Sequence, residues 1–229
     1  MLSAVLGMAG GITLLAVLLL YLDPIVAIPL HGAVQLVGNA SRTWIHRPHI
    51  DWTIVWRYAL PLLPMGFIGL WLLQSLPPVG TKAMIGVFVF LATWRPSWLL
   101  FGMHPERIPR GRRFFALGAV VGVLNTTIGA TGPLVAPFFL NLGFTRFGVI
   151  GTMGATQTLG HLAKISVFGF AGFAFRDYAE LLAMLIALVV AGTWLGSQLL
   201  ERVSERVFER LYKTLLTLIA LRLAVSPWL

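Results

Sequence analysis

GMAGGITLLAVLLLYLDPIVAIPLHGAVQLVGNASR, residues 7–42, and GATGPLVAPFFLNLGFTRFGVIGTMGATQTLGHLAK, residues 129–164, lie on one another at a constant offset of 122 with no gap. Nine of the 36 pairs are identical: Gly7, Gly10, Leu18, Leu20, Ile28, Gly32, Ala33, Gln35 and Gly38 meet Gly129, Gly132, Leu140, Leu142, Ile150, Gly154, Ala155, Gln157 and Gly160. Composition alone would give about three. The matches are mostly glycines plus a glutamine, so a shared apolar composition is a poor explanation. A duplicated apolar unit with polar residues at equivalent depths is the pattern of a transporter core.

Working outward, the chain is 58% apolar and only 11% charged, against about 25% charged in a soluble domain. Apolar runs of near 18–25 residues recur, long enough to cross about 30 Å of hydrocarbon. The expected fold is all-α: a polytopic membrane protein of about eight transmembrane helices in two four-helix repeats. The spans read as roughly 2–20, 24–41, 53–75, 82–103, 113–142, 145–172, 177–199 and 208–227. The fifth and sixth exceed a simple crossing, which predicts a break, a tilt or a re-entrant turn. Residues 1–103 form the first repeat, 104–112 a basic cytoplasmic linker, and 113–229 the second repeat. The first repeat lacks a counterpart of the apolar lead-in from Phe114 to Gly122, as if its N-terminal half-helix were missing. Four spans per half put the repeats in the same orientation; a re-entrant segment in each half would invert them.

Alternating spans place Arg42, Arg47, Arg57, Arg107, Arg110, Arg112, Arg113, Arg176 and Arg222 on the side of the N-terminus. Lys82, Arg146, Arg202, Arg206, Arg210 and Lys213 fall on the other. The excess predicts both termini in the cytoplasm, with the chain multi-pass in the cell (plasma or inner) membrane. The net charge of +9 resides at span ends, where arginines meet anionic lipid; nothing suggests a nucleic-acid partner. Tryptophans near span ends (Trp44, Trp52, Trp56, Trp98, Trp228) read as interfacial anchors. The interleaved Glu201, Arg202, Glu205, Arg206, Glu209 and Arg210 read as a solvated, ion-paired helix face.

Zero cysteines exclude disulfides, thiolate catalysis and thiolate-bound metals. No carboxylate lies deep in a span, and there is no metal-binding or nucleotide-binding motif. The chain is read as a non-enzyme without cofactor or metal.

Two polar constellations remain. Asn125-Thr126-Thr127-Ile128-Gly129-Ala130-Thr131-Gly132-Pro133 sits inside an apolar stretch, where Pro133 and the glycines predict a discontinuous helix. Gly7-Met8-Ala9-Gly10-Gly11 takes the matching place, so breaks are expected near residues 7–11 and 125–133. Backbone N–H groups freed by a break need a partner, and a helix N-terminus stabilises an anion. The second constellation is a helical stripe, His31, Gln35, Asn39 and Arg42, repeated as Met153, Gln157, His161 and Lys164. Such a face is expected to point into the bundle or a wet cavity. Lys164 could serve an anion or snorkel to the interface, and Arg95 could be interfacial or line an anion path. Proton coupling through His31 or His161 stays open.

With these residues in view, the chain resembles the sulfite exporter TauE/SafE family, also called the toluene sulfonate uptake permease family. The resemblance is carried by the two quoted segments. It implies an all-helical bundle of two four-span repeats that moves sulfite, organosulfonates or other small anions across the cytoplasmic membrane. The first repeat departs from the family pattern, with Gly-Met-Ala-Gly-Gly in place of a denser glycine run and a following proline.

The expected function is a secondary transporter for a small sulfur-containing anion, working by alternating access between the repeats. Its site is expected to use the half-helix starts at Gly10, Gly11, Thr131 and Gly132, with Asn125, Thr126 and Thr127 as further donors. Gln35 and Gln157 would orient the anion, and His161 and Lys164 would favour its charge. The partners are thus a small anionic substrate and the lipid bilayer, with a homo-oligomer left open. An anion channel and a non-transporting membrane scaffold subunit are the alternatives.

Overall fold

The computed structural model describes the backbone of residues 2–139, 142–200 and 205–225, and side chains within 10–139, 142–192, 207 and 209–225. Residues 201–206 of the acid–base row, and Trp228, therefore lie outside the described side chains. Among the described residues all regular structure is helical. Helix α1 spans Leu2–Tyr21, α2 Pro24–Ile45, α3 Trp52–Ala59, α4 Leu62–Ser75 and α5 Pro78–Trp94. After a linker of short 3-10 turns come α6 Arg110–Thr127, α7 Gly132–Val135, α8 Arg146–Phe170, α9 Ala179–Leu200 and α10 Glu205–Val225. The starts of α2 and α8 are separated by the same 122 residues as the sequence match.

Local chemistry sets these limits. Pro24 and Pro78 open α2 and α5, where a proline's missing donor has no cost. Asp51 and Thr145 cap α3 and α8 through bonds from Ile54 N (3.2 Å) and Gly148 N (3.1 Å). A cap of this kind contributes about 1 kcal/mol. Pro61 separates α3 from α4, and the pair bends by 41°. After α5 the chain turns by 116° at Pro96, so the fourth apolar segment ends its helix at Trp94 and Arg95 leaves it. Among the described residues no single helix is long and apolar enough to cross a membrane alone; taken together, these two bent pairs match a span in length and composition only. The polar stripes and glycines of α2 and α8 lower their hydropathy, so neither of them registers as an apolar span by itself. The outward surface is nonetheless apolar, with Leu60, Trp71, Val87, Leu188 and Leu218 all exposed.

Helix directions follow from contacts. Helices α2 and α8 run antiparallel: Gly32 abuts Lys164, Thr43 Oγ1 meets Thr158 Oγ1 at 2.9 Å, and Gly151 abuts the His46 carbonyl. Helices α5 and α10 do the same, with Gly86 against the Ala220 carbonyl and Trp94 Nε1 donating to Thr217 Oγ1 at 2.8 Å. Helix α6 runs parallel to α3 and α4, with Gly118 on the Tyr58 carbonyl and Gly122 on that of Leu62. The side-by-side orientation expected from four spans per half is not found in the α2–α8 or α5–α10 pair.

The reason lies in the fifth apolar segment, which does not cross. Helix α6 ends at Thr127, the chain reverses, and α7 with a following 3-10 turn (Ala136–Phe139) returns to the end where α6 began. There Arg113 Nη1 donates to the Phe138 carbonyl at 3.4 Å, and the Phe114 and Phe139 rings meet edge to face at 5.1 Å. Residues 110–139 thus form a re-entrant hairpin. In contrast, α1 runs unbroken through Gly7-Met8-Ala9-Gly10-Gly11, against the expected discontinuity there. Glycines alone lower helix propensity by about 1 kcal/mol each, whereas Pro133 removes a donor outright.

Two apolar cores hold the bundle. One joins Leu15, Leu19, Ile28, Ile85, Phe168 and Leu216; the other joins Tyr58, Leu117, Val121, Phe138, Phe139 and Met153. One end of the bundle gathers the α2–α3 turn, the start of α6, the return of the hairpin and the start of α8. There Arg110 pairs with Asp51 at 2.7 Å, Asp51 N donates to Thr152 Oγ1 at 3.0 Å, and Phe147 stacks on His46 and His49. The opposite end carries the Lys82–Asp23 and Arg176–Asp177 pairs.

Candidate functional site

The turn of the hairpin is built from residues 128–131. Ile128 N and Gly129 N both donate to the Leu124 carbonyl, at 2.7 and 3.2 Å, closing α6. Gly129 has a φ of 93°, and a Cβ there would lie 2.9 Å from Leu15 Cδ2 and 3.1 Å from Ile28 Cγ1. Both the conformation and the close approach require glycine. Thr131 and Pro133 then start α7.

Beside this turn lies a cavity of about 60 Å3, bounded by Gly11 and Ile12 of α1, Ala130, Thr131 and Gly132 of the turn, and facing stripes of α2 and α8. His31, Gln35, Asn39 and Arg42 come from α2; Ile150, Met153, Gly154, Gln157 and His161 come from α8. This volume suits several waters or one compact oxyanion. The polar residues occupy one face of each helix, as their spacing requires. The expected residues Gly11, Gln35, Thr131, Gly132, Gln157 and His161 therefore meet around one space.

The other expected ligands do not. Gly10 is exposed and outside the lining. Asn125 Nδ2 donates to the Gly160 carbonyl at 2.9 Å, tying α6 to α8. Thr126 Oγ1 lies 3.0 Å from the Gly66 carbonyl and Thr127 Oγ1 2.9 Å from that of Gly69. These hydroxyls fasten α6 to α4, where Gly69 admits α6 so closely that a Cβ would strike Thr126 and the Val123 carbonyl. Lys164 is 1% exposed, and its Nζ donates to the Gly129 carbonyl at 2.7 Å. It neither snorkels nor lines the cavity. Helix α7 has only four residues, too few aligned peptides for the dipole expected of a half-helix. The cavity's donors are side chains instead.

The closed end of the cavity is ordered by backbone contacts. His31 Nε2 lies 3.0 Å from the Gly11 carbonyl, and the His31 and His161 rings meet edge to face at 5.8 Å. His31 Nδ1, His161 Nδ1, Thr131 Oγ1 and Asn125 Oδ1 are buried without a hydrogen-bond partner. Buried polar atoms are seldom left so. The Gln35 amide rests on α1, and a Cβ on Gly11 would come within 3.0 Å of its Nε2.

Arg42 was read from the sequence as part of the α2 stripe and counted among the arginines that set topology, yet it lines the cavity. The signal that could have placed it is the offset itself, since Arg42 is the counterpart of Lys164. His31 and Asn39 belong to the same stripe and also line the cavity.

An all-helical bundle with an apolar exterior and a cavity lined in part by polar side chains at a re-entrant turn has the makings of a membrane transport protein. A family model described as Sulfite exporter TauE/SafE matches residues 1–223, so the chain belongs to the sulfite exporter TauE/SafE family of membrane transporters. Comparison with curated proteins and with solved structures gave no match.

Proposed function

We propose that the protein is a secondary transporter that carries a small sulfur oxyanion, sulfite or a sulfonate, by alternating access around the cavity between α2 and α8. One observation carries the reading. Gln35 and Gln157, identical across the repeat offset, line the same cavity from opposite halves. Their amide N–H groups suit the oxygens of a compact anion, with Thr131, Asn39 and His161 as neighbours and Arg42 as the charge. The family description supports the substrate class.

The antiparallel α2–α8 and α5–α10 pairs support repeats of inverted topology, the arrangement in which one half can exchange conformations with the other. The re-entrant hairpin also redistributes charge. With residues 110–139 returning to their starting end, Arg47, Arg57, Arg107, Arg110, Arg112, Arg113 and Arg146 share that end. Lys82, Arg176 and Arg222 fall at the other. By the positive-inside rule the arginine-rich end faces the cytoplasm, and α10 finishes on the opposite side. On this reading α1 begins and α10 ends on opposite sides, whereas the expectation of two cytoplasmic termini rests on an even number of crossings.

The cavity reaches Arg42 at the arginine-rich end and stops at His31 and Thr131, 1% and 2% exposed. Closure there favours a transporter loaded from the cytoplasm over an open channel. The test is uptake and efflux of labelled sulfite and a panel of sulfonates in proteoliposomes. Unaltered transport by both Gln157→Ala and Thr131→Val would remove the site from the mechanism.

A further inference from the structure

Arg42 and Lys164 occupy the same position in the two halves, each ending a polar stripe, yet their surroundings differ. The Lys164 amine is held on the carbonyl of Gly129 at 2.7 Å. Its methylenes press on Gly32, where a Cβ would lie 2.8 Å from Lys164 Cδ. It is thereby sealed between the hairpin turn and α2. Arg42 is half-buried and lines the cavity. Among the described residues no carboxylate, carbonyl or hydroxyl pairs with its guanidinium.

Two cations at matched positions, one sealed and one open, are what inverted halves in opposite conformations require. We propose that Arg42 binds the anion in this state, and that Lys164 is its counterpart for the state open to the other side. When the halves exchange conformations, Lys164 releases Gly129 to face the anion while Arg42 takes the sealed role. An intramembrane cation needs a partner in both states; for Lys164 the Gly129 carbonyl and the anion would supply them alternately. The planar guanidinium presents paired N–H donors to two oxygens of a sulfite or sulfonate, whereas the ammonium acts as a point charge. The cytoplasmic state is therefore the tighter-binding one.

This proposal rests on the transport reading above, and the experiment separates the two. The chain has no cysteine, so single cysteines can be read without background. Ile150→Cys in the cavity and its repeat partner Ile28→Cys, buried at 0% exposure, are treated in proteoliposomes with a membrane-impermeant thiol reagent added to either face. Ile150→Cys is expected to label from the arginine-rich face and Ile28→Cys from the opposite face only. Adding Lys164→Met, which releases the turn, is expected to raise Ile28→Cys labelling at the expense of Ile150→Cys. Sulfite transport measured from the arginine-rich face should show a KM about tenfold higher in Arg42→Lys and about a hundredfold higher in Arg42→Gln, the range for losing hydrogen bonds to a charged group. If Arg42→Gln does not fold, Arg42→Lys decides alone. An unchanged KM overturns the proposal, as does active transport with Ile28→Cys inert from the opposite face. A wild-type protein that moves none of the anions overturns the transport reading, and the proposal with it.

Discussion

The glycine cluster of residues 7–11 lies in a continuous helix beside the cavity, and its sequence counterpart, residues 129–133, lies in a hairpin that turns back. Both are rich in glycine, but only the second adds Thr131 and Pro133 and puts Gly129 at positive φ. The difference teaches that glycine makes a break permissible, while the proline forces it and the Lys164 contact with the Gly129 carbonyl holds the turn in this state. It also separates two jobs that one polar segment was expected to share. Asn125, Thr126 and Thr127 hold the hairpin against α4 and α8, while Thr131 alone turns into the cavity.

The comparison breaks first at Gly129. Gly129→Ala should be strongly damaging, since it combines a positive φ with a crowded site. It adds about 1–2 kcal/mol for the left-handed backbone to about 1–3 kcal/mol for overpacking against Leu15 and Ile28. Thermal unfolding in detergent should show a large fall, with transport lost. A melting temperature equal to that of the wild type would mean the turn is not built as described.

Next come the paired glutamines. Gln35→Ala and Gln157→Ala are each expected to raise the KM for the anion about tenfold with little change in melting temperature. Similar effects would support equivalent roles, and a silent Gln35→Ala would assign recognition to the second half alone.

A smaller and opposite pattern is expected for the hairpin hydroxyls. Thr126→Val and Thr127→Val should each cost about 1 kcal/mol of stability, the net value of a buried hydrogen bond, with KM unchanged. Thr131→Val should do the reverse. An increase in KM from Thr127→Val would return that residue to the binding site.

The least effect belongs to Gly10. A Cβ there meets nothing within 4 Å, so Gly10→Ala should stabilise α1 by about 0.5–1 kcal/mol without altering transport. Gly11→Ala, one residue on, is expected to raise KM by displacing the Gln35 amide. If the two behave alike, α1 is not the cavity wall.

Much of this was legible in the chain. The offset of 122 foretold where α2 and α8 start, the stripes foretold which faces meet, and Pro133 foretold the interrupted segment. What the residues did not declare is direction. Hydropathy counts apolar residues but is blind to whether a broken segment goes on or comes back, and the return of residues 110–139 is what lets α8 run antiparallel to α2. A clue was available in the arginines: Arg110, Arg112, Arg113 and Arg146 flank the fifth segment, and assigning them to one side sharpens the charge bias. Nor does spacing reveal which donors are already occupied. Thr126 and Thr131 are chemically alike in sequence, and only packing against Gly66 separates them.

The hairpin also has a bearing on how the protein is made. Residues 110–139 emerge from the ribosome as an apolar stretch with arginines before it and Arg146 soon after. Its returning limb is too short to span lipid. Outside their own helix, Thr126 and Thr127 find their acceptors on α4, which has already emerged, while the Asn125 and Gly129 contacts must wait for α8. Membrane integration should thus be ordered, with α4 receiving the outgoing limb and the later arrival of α8 locking the turn. A reporter joined within the 140s should stay on the cytoplasmic side from the outset. Protease protection of the turn should appear only in chains long enough to include Lys164.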